Sequence, residues 1–68
     1  MATGIVKWYN DAKGVGFITR DEDGADIYVS HSNIVSEGYR TLLEGSKVNF
    51  DIEEGSRGIE ARNVTHLE

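Results

Sequence analysis

The chain contains no cysteine, so no disulfide can brace it and no thiolate can hold a metal. It contains no proline, which leaves its chain reversals to glycine, asparagine and aspartate. Long apolar runs are missing: no stretch is long enough to span a bilayer, and the start, MATGIVKWYND, carries no apolar segment of the kind that directs export. A reducing, cytoplasmic setting without membrane contact is the expectation. Histidine is scarce, with only His31 and His66, and the serines have no companion base arranged as a nucleophile needs. Paired carboxylates occur on turns and a solvent-facing strand edge, and a chain of 68 residues leaves little room for a substrate pocket. The reading is of a protein that is not an enzyme, takes no small-molecule substrate and needs no cofactor.

Positive charge is also in short supply, with seven Lys and Arg against twelve Asp and Glu, a net charge of −5. Such a balance argues against a polyanionic partner. The acids are clustered, however, in DEDGAD (Asp21 to Asp26), at Glu37 and Glu44, and in FDIEE (Phe50 to Glu54). From Ala12 to Arg20 there is none, while Lys13 and Arg20 are both present. A local positive face on an acidic body is compatible with this pattern. Asp21-Glu22-Asp23-Gly24-Ala25-Asp26 is not a calcium loop, because its glycine comes fourth and no later Glu completes it. Gly14-Val15-Gly16 is not a dinucleotide fingerprint, since Thr19 stands where a third glycine belongs.

What the chain does have is eight glycines and short apolar runs between turn formers, the pattern of several short strands. Strands are predicted at Gly4–Asn10, Val15–Arg20, Asp26–Ser30, Lys47–Glu54 and Ile59–His66. A short helical turn is expected near Ser32–Ile34, then a loop tethered by Ile34 and Leu42. Five strands in so small a chain can close into a barrel, which removes exposed edges. The residues 1–68 then form one all-β domain.

Alternation places Val48, Phe50 and Ile52 on one face of the fourth strand, and Ile27 and Val29 inward on the third, turning Tyr28 and Ser30 outward. The second strand reads equally well with Gly16 and Ile18 inside or with Val15 and Phe17 inside. In the first, Val6 belongs to the core, and strict alternation would send Trp8 inward after it. A bulge or bend near Lys7–Tyr9 would reverse that, so spacing alone leaves open which of Trp8 and Tyr9 is exposed. Each aromatic also has a plainer reading: Phe17 as core, Trp8 as a cap on the barrel, and Tyr39 as a packing anchor for its loop. Lys13 and Arg57, in turns, read as solvated charge.

Taken together and in order, GIVKWYNDAKGVGFI, DIYVSHSNI, EGYRTLLEG and GSRGIEARNVT closely resemble the bacterial cold shock protein family over essentially the whole chain. Lys13-Gly14-Val15-Gly16-Phe17-Ile18 resembles its first ribonucleoprotein motif, and Asp26-Ile27-Tyr28-Val29-Ser30-His31 its second. The resemblance implies a small five-stranded antiparallel OB-fold barrel that binds single-stranded RNA and DNA by stacking bases on surface rings. It further implies an RNA chaperone with effects on transcription and translation; a monomer is the simplest expectation. Carried over by position, the platform is Trp8, Phe17, Tyr28 and Tyr39 with Tyr9 adjoining, and the basic contacts are Lys7, Lys13 and Arg57. The chain departs from the family at Val15, where Phe is usual, and at Ser30-His31, where His-Phe is usual. Histidine can still stack, and when protonated it can pair with phosphate. Two stacks weakened in this way imply a loss of roughly 2 kcal/mol, about thirtyfold in affinity. The competing reading is an acidic β-barrel that has lost most nucleic-acid affinity and serves as a protein-interaction module.

Overall fold

The computed structural model of the protein describes residues 2–35, 42–55 and 58–67. These form strands β1 (Ala2–Asn10), β2 (Val15–Arg20), β3 (Asp26–Ser30), β4 (Lys47–Gly55) and β5 (Gly58–His66), with a single 3-10 turn (His31–Asn33) after β3. The strands agree with the predicted ones to within two residues at every end, and the helical turn falls one residue earlier than expected. Ile34 and Leu42, the expected tethers, are both buried.

The turns follow from their residue types. Between β1 and β2, the Gly14 N–H donates to the Asn10 carbonyl at 2.7 Å and the Lys13 N–H to Asn10 Oδ1 at 3.1 Å. Gly14 closes this turn at φ +71°, where a side chain would be strained. Between β2 and β3, Arg20 and Ala25 are joined by an N–H to carbonyl bond of 2.8 Å, and Asp23 Oδ1 accepts the Ala25 N–H at 3.1 Å.

The sheet closes on itself in the order β1-β2-β3-β5-β4. All neighbours are antiparallel except β3 and β5, which run parallel and meet at Tyr28 and Glu60. One parallel seam is a requirement of the count: strands cannot alternate in direction all the way around a ring with an odd number of members. The seam falls where the chain leaves β3 on the long segment to β4.

Inside the barrel lie Val6, Ile18, Ile27, Val29, Val48, Phe50, Ala61 and Val64, each at most 1% exposed. The open question on β2 is settled by register. Ile18 pairs with Val6 on one side and Ile27 on the other, both core residues, so Gly16 and Ile18 face in and Phe17 faces out. Phe50 is core as its alternation predicts. Ile52 shares that face, since it pairs with the core residue Ala61, yet it is 38% exposed on a stretch from Asp51 to Gly55 where every residue is exposed, so burial along this face ends at Phe50. The pairing shifts at the same place, from Asn49 with Thr65 to Asp51 with Arg62, and β5 takes up the slack at Asn63. Asn63 sits at φ +53°, a conformation asparagine tolerates, and its Nδ2 donates to Asp51 Oδ2 at 3.1 Å.

The first strand carries a second irregularity. Its register with β2 shifts between Val6 and Trp8, leaving Lys7 as the extra residue of a bulge. The shift reverses the alternation, so Val6 stays inside while Trp8 turns out and Tyr9 packs against the core. Gly16 makes this possible. A Cβ at that position would meet the Trp8 carbonyl oxygen, with Tyr9 Cδ1 at 2.8 Å and Tyr9 Cα at 2.9 Å, closer than real Cβ contacts come. No helix among the described residues is long and apolar enough to cross a membrane.

Two stability predictions arise here. Gly16→Ala should destabilise the protein by about 1–3 kcal/mol through overpacking against the bulge, read as a lower urea midpoint at unchanged slope. The second concerns Asp23, whose carboxyl the Arg20 guanidinium, with help from the Ala25 N–H, holds down to about 2 from an ordinary 3.8. A carboxyl depressed by folding stabilises the protein above its unfolded pKa, and that contribution is lost as pH falls through its folded value. Asp23→Asn should therefore lower the thermal midpoint at pH 7, and its deficit should close between about pH 4 and pH 2.

Candidate nucleic-acid interface

Outward alternation on three adjacent strands brings Trp8, Phe17 and Tyr28 into one row. The register pairs Trp8 with Phe17 and Phe17 with Tyr28. The ring centroids are 5.6 Å apart for Trp8 and Phe17, tilted by 54°, and 5.9 Å for Phe17 and Tyr28, edge to face at 73°. Such spacing and tilt are what the aromatic quadrupole favours, so the rings support one another in place. Trp8 is 38% exposed, and Phe17 and Tyr28 are half-buried. The plainer readings of Phe17 as core and Trp8 as a barrel cap do not survive this geometry.

The neighbouring row holds Asn10, Val15 and Ser30, paired in that order across the same strands. Here the surface has no ring: the half-buried Val15 and Ser30 continue the face with a smaller, partly polar relief. His31 stands at its end. The imidazole is exposed and packs on the Gly14 backbone, where an added Cβ would lie 2.6 Å from Cδ2; the His31 N–H also donates to the Gly14 carbonyl at 2.8 Å. Gly14 thus serves twice, as the turn's left-handed residue and as the floor under His31. Lys13, one residue earlier, is exposed. Tyr9 lies beneath the face and supports it. Tyr39 and Arg57, predicted as a ring and a cation of the site, lie outside the described residues.

The charges are arranged sparingly. Lys7 Nζ meets Asp26 Oδ2 at 2.9 Å, Lys47 Nζ meets Asp21 Oδ2 at 2.7 Å, Arg20 grips Asp23 through two hydrogen bonds of 2.9 and 2.7 Å, and Arg62 pairs with Glu53. Asp21 is held below its ordinary range first by Lys47 and then by the Thr3 hydroxyl. Among the described residues, Lys13 is the one lysine or arginine with no carboxylate partner. Most of the positive charge is therefore already neutralised within the protein. Past Tyr28 the ring row ends at Glu60, its partner on β5. Among the described residues, no three His, Asp or Glu side chains converge as a metal ion would need.

Sequence reasoning did not single out Asp26 or Glu60. Asp26 had a signal, since it lies two residues before Tyr28 and so shares its outward face. Glu60 had none, because only the parallel seam places it beside Tyr28.

A small closed barrel with half-exposed rings in register on its outside has the build of an OB-fold nucleic-acid binder. Comparison with known proteins agrees. The family described as the "'Cold-shock' DNA-binding domain" matches residues 2–67. The Cold shock-like protein CspA of Stigmatella aurantiaca is 56% identical over 67 residues, covering 98% of both chains. The Major cold shock protein of Streptococcus pyogenes is 52% identical, again covering 98% of each. The Cold shock-like protein CspG of Shewanella violacea is 51% identical across 96% of this chain and 93% of its own. Among solved structures, drosophila Unr CSD456 superimposes with a TM-score of 0.81 over 98% of this chain; at 18% identity this is a likeness of fold, and the chain spans 26% of that structure's length. The chain belongs to the cold-shock domain family and is a nucleic-acid-binding cold shock protein of that family.

Proposed function

We propose that the barrel, acting as one domain over residues 1–68, binds single-stranded RNA and DNA by stacking unpaired bases on Trp8, Phe17 and Tyr28. It acts by binding and catalyses no reaction. The observation that carries this reading is the ring row itself. Its steps of 5.6 and 5.9 Å exceed the rise of about 3.4 Å between stacked bases, so bases seated on successive rings must be splayed from one another. In a duplex the base faces are hidden against their neighbours, and only an unpaired strand can present them. Stacking also needs no net positive charge, which reconciles the function with a chain of net charge −5.

Lys13 and Lys7 supply phosphate contacts at the edge of the row, Val15 and His31 extend the face, and Tyr9 supports it from below. Tyr39 and Arg57 join the site on the strength of the family resemblance. Binding of this kind favours unstacked strands over hairpins without an energy source, since occupancy of exposed bases offsets the lost pairing. That is the action of an RNA chaperone, and on nascent or messenger RNA it would affect transcription and translation. A cytoplasmic monomer suffices for the task. The acidic charge favours an alternative, a protein-interaction barrel, but half-exposed rings in register are better suited to bases than to a general protein surface.

Titration with a pyrimidine-rich single-stranded heptamer tests the reading directly. Trp8 fluorescence should be quenched, and Phe17→Ala should weaken binding by about 5- to 150-fold, the equivalent of 1–3 kcal/mol for a lost stack. Absence of quenching and of filter retention at low salt would instead support the interaction module.

The Asn10–Val15–Ser30 row offers the converse test. Val15→Phe places a ring beside Phe17's row on the same outward face and should tighten binding by about fivefold, or 1 kcal/mol. An unchanged affinity would show that the ligand does not cross that row.

A further inference from the structure

β4 outruns its neighbour β1. Their pairing ends where Ala2 meets Phe50, while β4 continues to Gly55 with β5 on its other side. From Ile52 to Gly55, no described strand pairs with the β1 side of β4. On the far side of β5, the parallel seam adds only the pairing of Tyr28 with Glu60. The end of the hairpin therefore stands out from the barrel as a two-stranded ribbon, and its β4 edge turns alternate N–H and carbonyl groups away from the sheet.

The side chains of this ribbon are of two kinds. Ile52 and Ile59 are diagonal neighbours on the face that carries Ala61, and they remain 38% and 40% exposed. Asp51, Glu53, Glu54 and Glu60 add four carboxylates, against which Arg62 is the one cation on the described part of the ribbon, paired with Glu53. Glu53 stands directly opposite Glu60, like charge against like. A second copy of the chain is a poor occupant of the edge, since two such edges laid antiparallel would bring Glu53 and Glu54 of one against the same residues of the other. A cationic strand meets the opposite condition at every one of these positions.

We propose that the β4 edge from Ile52 to Gly55 is a docking site for an extended lysine- or arginine-rich segment of another protein, which joins the sheet as an added strand. Its backbone pairs with the edge, its basic residues meet Glu53 on one face, and the apolar residues between them meet Ile52 on the other. The role is additional to nucleic-acid binding and does not rest on the stacking reading. β5 separates this edge from Tyr28, so a docked segment leaves the row of rings open.

Nuclear magnetic resonance titration of the full chain with an acetylated, amidated heptapeptide of alternating lysine and valine tests this. Amide signals from Ile52 to Gly55 should shift and their hydrogen exchange should slow, while those of Trp8, Phe17 and Tyr28 stay in place. In an added strand only every second residue turns its N–H toward the edge. Of two further peptides, one methylated at the lysine backbone nitrogens and the other at the valine nitrogens, one should therefore lose binding and the other keep it. Glu53→Gln should weaken binding by up to about fivefold, the range of one cross-strand charge pair, whereas Glu44→Gln, an equal change of net charge at an exposed position off the ribbon, should not. The peptide comparison uses the unaltered chain, so it decides the matter even if Glu53→Gln proves poorly folded.

Equal effects of the two methylations, in either direction, would overturn strand addition. Equal effects of Glu53→Gln and Glu44→Gln would reduce the attraction to net charge and overturn the site. Protection of Ile52 to Gly55 that grows with protein concentration in the absence of peptide would make a second copy the occupant instead. Heptathymidylate should still quench Trp8 in the peptide-bound protein, and loss of that quenching would move the peptide to the rings and overturn the proposal. Failure of heptathymidylate to bind the peptide-free chain would count against the stacking reading alone.

Discussion

The bulge at Lys7 is the constraint on which the outward row of rings depends. A regular β1 would carry Val6 and Trp8 to the same face, and the largest side chain in the protein would then compete with Phe50 and Ile18 for the barrel interior. One extra residue reverses the phase. Trp8 comes out beside Phe17, Tyr9 goes in above Gly16, and Lys7 is released from pairing with β2. The bulge, the glycine and the row of rings are thus one structural device. Gly16 has no conformational role in it; it supplies room where the bent strand presses closest.

In the proposed mode of binding, charge and stacking carry unequal shares. An acidic protein that met a polyanion through bulk electrostatics would be repelled before contact. Here carboxylates neutralise four of the described cations, and the proposed aromatic platform would draw on stacking, which is largely independent of charge. The acids that oppose binding on a simple count serve elsewhere as structural partners: Asp23 fastens the β2–β3 turn, and Asp21 ties it to Lys47 and Thr3. Glu60 at the end of the row gives the platform a negative boundary on the β5 side.

Three ring positions of the family pattern are altered in this chain, and the structure shows how the surface accommodates them. Val15 and Ser30 face each other in register, so the loss of bulk falls on a single row and leaves the Trp8–Phe17–Tyr28 row intact. His31 is seated on Gly14, which keeps an aromatic ring at the far edge of the face. The proposed platform is therefore narrowed rather than interrupted.

Much of this was legible in the residues. The strands followed from alternation broken by Asn, Asp and Gly, because period-two burial and turn chemistry are local properties. Val6, Ile27, Val29, Val48 and Phe50 were identifiable as core for the same reason, and the order of the motifs fixed the family. Tertiary structure decided what local pattern left balanced. Whether β2 buried Ile18 or Phe17 depended on its partners across the sheet, and whether Trp8 or Tyr9 emerged depended on a bulge that no spacing rule locates. The exposure of Ile52 past the end of the core, the parallel seam that sets Glu60 beside Tyr28, and the reach of Lys7 across β2 to Asp26 arise only when five strands close into a ring. Closure is a property of the whole chain, and that is why it could not be read from any one segment.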